Sequence, residues 1–246
     1  MSWTNRYIVR TGSVAAAVAL LATASLAALA DAPINAIYQK QNIVFTHVAS
    51  TGGGTAIGVA DPGFQTLLRA TGSILTWKPG ERYVLLTTSA PVVVSFALGD
   101  RRYDVGAIAL QASSAPFQRG NEAYLPLDEV LRALDLALRQ DGSVSVLQPQ
   151  LASLDVHVDG DHVTLLAHGG APMHPRIVQQ SSNTIVYAFD GVGTTLTGTR
   201  QIGAGGVRSL QIAKSGSVRN PTTLVTVQLN AGATVQAPQN SDDRDV

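Results

Sequence analysis

The dipeptide Asp159-Gly160 constrains this chain more than any other stretch, because alternating runs flank it on both sides: Leu154-Asp155-Val156-His157-Val158 before and His162-Val163-Thr164-Leu165 after. Two such runs joined by a glycine-containing turn make a hairpin, since glycine reaches positive φ without a Cβ clash. With Asp159 and Gly160 as the central turn residues, Val158 is expected opposite Asp161, His157 opposite His162 and Val156 opposite Val163. Side chains alternate faces along a strand. Leu154, Val156, Val158, Val163 and Leu165 therefore share a core face, and Asp155, His157, His162 and Thr164 share a wet one. Further strand patterns follow at 176–180, 184–189, 195–200, 207–213 and 223–229, separated by Gly, Asn and Ser turns. This succession over 151–237 predicts a small all-β sandwich.

Upstream, helical and strand patterns alternate between 36 and 149. The segment contains an internal echo: Thr66-Leu67-Leu68-Arg69-Ala70 and Glu129-Val130-Leu131-Arg132-Ala133 lie 63 residues apart. Each follows a short strand pattern and a proline near a helix start, Pro62 or Pro126, where the missing N–H costs nothing. Each precedes a hairpin pattern, the second turning at Asp141-Gly142. The expected fold class is α+β: a duplicated strand–helix–hairpin domain whose copies share one sheet, followed by the all-β sandwich.

Two resemblances attach to these regions. Phe96-Ala97-Leu98-Gly99-Asp100-Arg101-Arg102-Tyr103, Ala115-Pro116-Phe117 and Ala123-Tyr124-Leu125-Pro126-Leu127 resemble the copper amine oxidase N-terminal-like (stalk) domain over roughly 50–148, which assigns 36–149 to that domain. That module implies neither copper nor a quinone cofactor, and the chain has no His-x-His pair. Leu154–His157, Thr184–Gly191, Gly206–Gln211 and Thr223–Leu229 resemble the AMIN domain of cell-wall amidases and pilus secretins over 151–237. This second resemblance implies an envelope module that binds peptidoglycan and positions its host protein.

The ends fit export. Arg6 and Arg10 precede an uncharged stretch, Val14 to Ala30, and Ala28-Leu29-Ala30 supplies the small-x-small pattern of a signal peptidase site. Residues 1–30 are expected to be a cleaved signal peptide, placing the protein in the periplasm or outside the cell, and 238–246 a disordered polar tail. The formal net charge is zero, so no whole-chain field favours nucleic acid, and the absence of cysteine excludes thiolate catalysis and Cys-based metal sites.

Ala167-His168-Gly169-Gly170 imitates a zinc amidase ligand motif, yet no glutamate follows Glu129, so that constellation cannot be completed. His157 and His162 with Asp155 suggest a cross-strand metal pair, but a solvated surface is the expected reading. Asp128, Glu129 and Glu122 are read as structural carboxylates, the first two serving the dipole of their helix. Tyr187 and Phe189 share a face with Ile185 and are expected in the core. Arg176, Arg200, Arg208 and Gln211 remain as donors to muropeptide carboxylates or sugar hydroxyls. The expectation is an exported, non-catalytic cell-envelope protein without cofactor or metal, whose partner is peptidoglycan. The alternatives are an interaction module of a secretin or pilus assembly, or the truncated N-terminal part of an N-acetylmuramoyl-L-alanine amidase.

Overall fold

The computed structural model describes residues 32–89, 92–170 and 173–235. The expected signal peptide and polar tail lie outside the described residues. Strands β1 (Ile34–Tyr38), β2 (Gln41–Phe45), β3 (Val48–Thr51) and β4 (Gly54–Gly58) lead into helix α1 (Pro62–Ala70). A meander follows: β5 (Ile74–Thr76), β6 (Tyr83–Thr87), β7 (Val93–Ala97), β8 (Arg102–Val105) and β9 (Ile108–Gln111). Next come β10 (Phe117–Arg119), β11 (Glu122–Pro126), helix α2 (Leu127–Ala133), β12 (Leu136–Asp141) and the long β13 (Val144–Asp159). The chain continues through β14 (His162–Gly169), β15 (Arg176–Gln180), β16 (Thr184–Asp190) and β17 (Gly193–Thr194). It closes with β18 (Gly198–Ala204), β19 (Val207–Gly216) and β20 (Pro221–Leu229).

These strands form four sheets. Sheet I runs β12-β13-β1-β2 with β14 and β17 also on β13, sheet II runs β10-β11-β4-β3, sheet III β5-β6-β7-β8-β9, and sheet IV β15-β16-β20-β19-β18. The chain is therefore mostly β, and the α+β expectation of a duplicated strand–helix–hairpin stalk is overturned. The two described helices have only nine and seven residues, too few to form a layer. The hairpins that follow them also part company. β5–β6 joins sheet III, whereas β12–β13 joins β1 in sheet I through the parallel pairs Ala36–Ser145 and Ile37–Val146. A short repeated helix sequence reports local periodicity, while sheet membership is decided by pairings a hundred residues apart.

Both Asp-Gly turns form one residue later than the sequence suggested. Asp159 pairs with His162 and Asp141 with Val144, so the loop residues are Gly160-Asp161 and Gly142-Ser143. Gly160 and Gly142 take φ of 56° and 62° at the first loop position, where a II′ turn places glycine. His157 consequently lies opposite Thr164, and Val156 opposite Leu165. Each partner moves by two residues, so the division into faces survives: Leu154, Val156, Val163 and Leu165 pack on the second core, while Val158 at the tip stays 51% exposed.

Buried side chains collect into two main clusters. One runs from Ala36 to Leu147 and the other from Leu151 to Leu229. β13 belongs to both. Its first half pairs with β12 and β1, its second half with β14 and β17, and it passes through residue 150 without a break.

Candidate functional site

Sheet IV turns one face to the β13–β14 hairpin; the other is partly open, with Gln179, Thr199, Gln201 and Gln211 exposed and Ala188 and Ser209 buried. Leu210, Val225, Val227, Ile185 and Phe189 are buried on the inner side, with Tyr187 partly buried among them. The outer side is read from the register. Gln179, Val186, Thr226, Gln211 and Thr199 form one cross-strand row, and Thr184, Gln228, Ser209 and Gln201 form the next. Strands stand about 4.8 Å apart, so hydroxyls and amides repeat at that interval across the sheet. The Thr184 hydroxyl donates to Gln228 Oε1 at 3.0 Å within this array.

The four donors singled out from the sequence occupy different places. Gln211 stands in the middle of the first polar row, between Thr226 and Thr199. Arg176 lies at the edge of the same face, opposite Ala188, and donates through Nε (3.2 Å) and Nη2 (3.0 Å) to Asp190 Oδ2. Arg200 is opposite Leu210 and so belongs to the inner side, where it lines a groove of about 220 Å³ with Leu154, Leu196 and Ile212. Arg208 falls in the bulge between Val207 and Ser209. Gln211 and Arg176 share a surface; the other two arginines do not join it.

The remaining candidates lie elsewhere in the fold. Nε2 of His168 sits 3.4 Å from Asp135 Oδ2. The glycines after it are demanded by packing: a Cβ on Gly169 would lie 2.4 Å from the Gln150 carbonyl oxygen, and one on Gly170 would lie 2.1 Å from that of Asp135. His157 and His162 are exposed and not opposite one another, and among the described residues no three His, Asp or Glu side chains converge as a metal site. Glu129, buried in the first turn of α2, accepts from Ser113 N (2.7 Å) and Ser113 Oγ (3.1 Å) and anchors that loop.

One cluster has no short-range signal in the sequence. His47 Nδ1 lies 2.9 and 3.0 Å from the two Glu122 oxygens, and the Ala60 N–H donates to Glu122 Oε1 at 2.9 Å. Beside it, Asp61 accepts from Thr46 N, Thr46 Oγ1 and His47 N through Oδ2, and from Phe64 N through Oδ1. Gly58 makes room, since a Cβ there would lie 2.3 Å from Glu122 Oε1. The group ties β2, β3, β4 and β11 together at the entry to α1.

Two phenols are shifted. Burial raises Tyr187 above its ordinary value, and burial followed by the Glu122 charge raises Tyr124, against the opposing Arg119 guanidinium. Because the folded values lie above the unfolded one, the protonated phenols favour the folded state below about pH 10, and that contribution is lost as pH rises through the folded values. Ultraviolet titration is expected to show Tyr187 and Tyr124 ionising above the ordinary tyrosine range. Tyr187→Phe should remove one late component; an unchanged titration would contradict the assignment.

No family model, no curated protein and no solved structure matches this chain.

Proposed function

We propose that this chain is an exported, non-catalytic cell-envelope protein that binds peptidoglycan through the outer face of sheet IV. The observation that carries the reading is the row Thr226–Gln211–Thr199 on the partly open face of a five-stranded sheet. Glutamine amides and threonine hydroxyls both donate and accept, which suits sugar hydroxyls and N-acetyl groups. Their spacing of about 4.8 Å across strands is commensurate with the repeat of a pyranose chain. Arg176 holds one acceptor in Asp190 and keeps further N–H groups for a stem-peptide carboxylate.

The test uses the full chain, because a cut at residue 150 would sever β13. Sedimentation with purified sacculi should carry the wild type down. Gln211→Ala combined with Thr226→Ala should reduce the bound fraction several-fold, whereas Arg200→Ala, on the inner side, should leave it unchanged. Binding should weaken only partly at high salt, since the row is polar rather than ionic. A wild type that stays in the supernatant would defeat the proposal and favour a protein partner in a secretion or pilus assembly.

A further inference from the structure

We propose that the cleft between sheet III and the end of α2 binds a small zwitterion with an apolar body, a free α-amino acid of the leucine or phenylalanine class. The cleft holds about 300 Å³ and is walled by Val94, Tyr103, Val105, Leu110 and Leu134, with Arg132, Asp135 and His168 also in its lining. Small-molecule sites begin at about 300 Å³ and combine a mostly apolar wall with a few polar groups.

The apolar wall is an uncovered end of the core. On the inner face of sheet III the rows Leu86–Val94–Val105 and Val84–Phe96–Tyr103–Leu110 cross the strands. Leu86, Val94, Val84 and Phe96 are fully buried, whereas Val105 is partly exposed and Leu110 is 37% exposed. Burial fades where the rows reach the cleft. A branched or aromatic side chain seated there would cover these surfaces, with the ordinary gain of apolar burial.

The polar groups of the cleft are ones the fold leaves unused. Tyr103 is 2% exposed and its ring stacks on Phe96 at 5.3 Å, yet its hydroxyl has no hydrogen-bond partner among the described residues. A phenol that deep in a protein ordinarily finds one. Its oxygen is not sealed from solvent, and the cleft it lines is the opening it has. The Arg132 guanidinium likewise has no partner among the described residues, and the Asp135 carboxylate has only the His168 contact at 3.4 Å. Asp135 is fixed in advance, with a φ of 53° and its carbonyl accepting from Gln150 N at 2.9 Å. The cleft therefore offers one cation and one anion that do not neutralise each other. A simple carboxylate would meet the repulsion of Asp135, and a simple amine that of Arg132. An α-amino acid answers both: its carboxylate accepts from the guanidinium and the Tyr103 hydroxyl, and its ammonium donates to Asp135.

Isothermal titration calorimetry on the full chain provides the test, with L-leucine and two truncated analogues: isocaproate, which lacks the ammonium, and isopentylamine, which lacks the carboxylate. Leucine should bind saturably at millimolar concentration or below, and each analogue roughly tenfold more weakly. Arg132→Gln and Asp135→Asn should each lower leucine affinity by a similar factor; asparagine tolerates the positive φ at that position. Tyr103→Phe should lower it roughly threefold. Arg139→Gln, exposed on β12 and outside the cleft, should bind leucine as the wild type does. Circular dichroism verifies that each variant is folded, and the analogue series needs only the wild type. No saturable binding of leucine or phenylalanine, an analogue that binds as tightly as leucine, or full affinity in Arg132→Gln and Asp135→Asn would overturn the proposal.

Discussion

Asp61→Ala is expected to cost about 2–4 kcal/mol of folding stability, since it removes the shared acceptor of one buried and several part-buried donors and with it a helix cap. The carboxylate is fully buried and accepts from three backbone N–H groups and one hydroxyl. Its Oδ1 caps α1 through Phe64 N, while Oδ2 holds the turn between β2 and β3 at Thr46 and His47. Alanine leaves those N–H groups without their shared acceptor, and the Phe64 N–H is buried. Asp61→Asn keeps one oxygen but aims an N–H₂ at donors, so it should recover only part of the loss. Urea unfolding followed by circular dichroism provides the check. A midpoint shift worth less than about 1 kcal/mol, the size of a single ordinary cap, would show that the network relaxes around the missing group.

Local chemistry made part of this arrangement legible. Pro62 stands at the first helical position, as its fixed φ favours, and the division of the β13–β14 hairpin into core and wet faces survived because the register moved by two residues. The register itself was not legible. Asp-Gly suits a loop with both residues in positive φ, but a II′ loop with glycine first needs the same glycine one position earlier in the turn. Which sheet each hairpin joins was hidden more deeply. The parallel pairing of Ala36 with Ser145 brings the start of the described chain beside β13, and no periodicity within either segment encodes that meeting. The same distance conceals the contact of His47 with Glu122, which lie 75 residues apart. Of the candidate donors, Gln211 and Arg176 could be placed on one face only once the order of sheet IV was known. Strand alternation alone gives each residue a side, not a neighbour.

Gly170→Ala is expected to cost about 2–4 kcal/mol, in the range of forced overpacking against structure that cannot step aside. An added Cβ would lie 2.1 Å from the Asp135 carbonyl oxygen and 3.0 Å from that of Leu134, both backbone atoms at the end of α2. Neither can retreat freely. Asp135 is held at a φ of 53° and its carbonyl accepts from Gln150 N, while the Gln150 carbonyl accepts from Gly170 N. These contacts join α2, the middle of β13 and the end of β14, the place where the two hydrophobic clusters meet along one strand. Pushing them apart should strain both cores, so intrinsic fluorescence and far-ultraviolet circular dichroism should shift together to lower urea. Gly52→Ala is the control: an added Cβ meets no atom within 4 Å there, and stability should change by less than about 0.5 kcal/mol. If Gly170→Ala moved one probe and left the other in place, the shared strand would not couple the two cores. An effect no larger than that of Gly52→Ala would mean that the junction yields without cost.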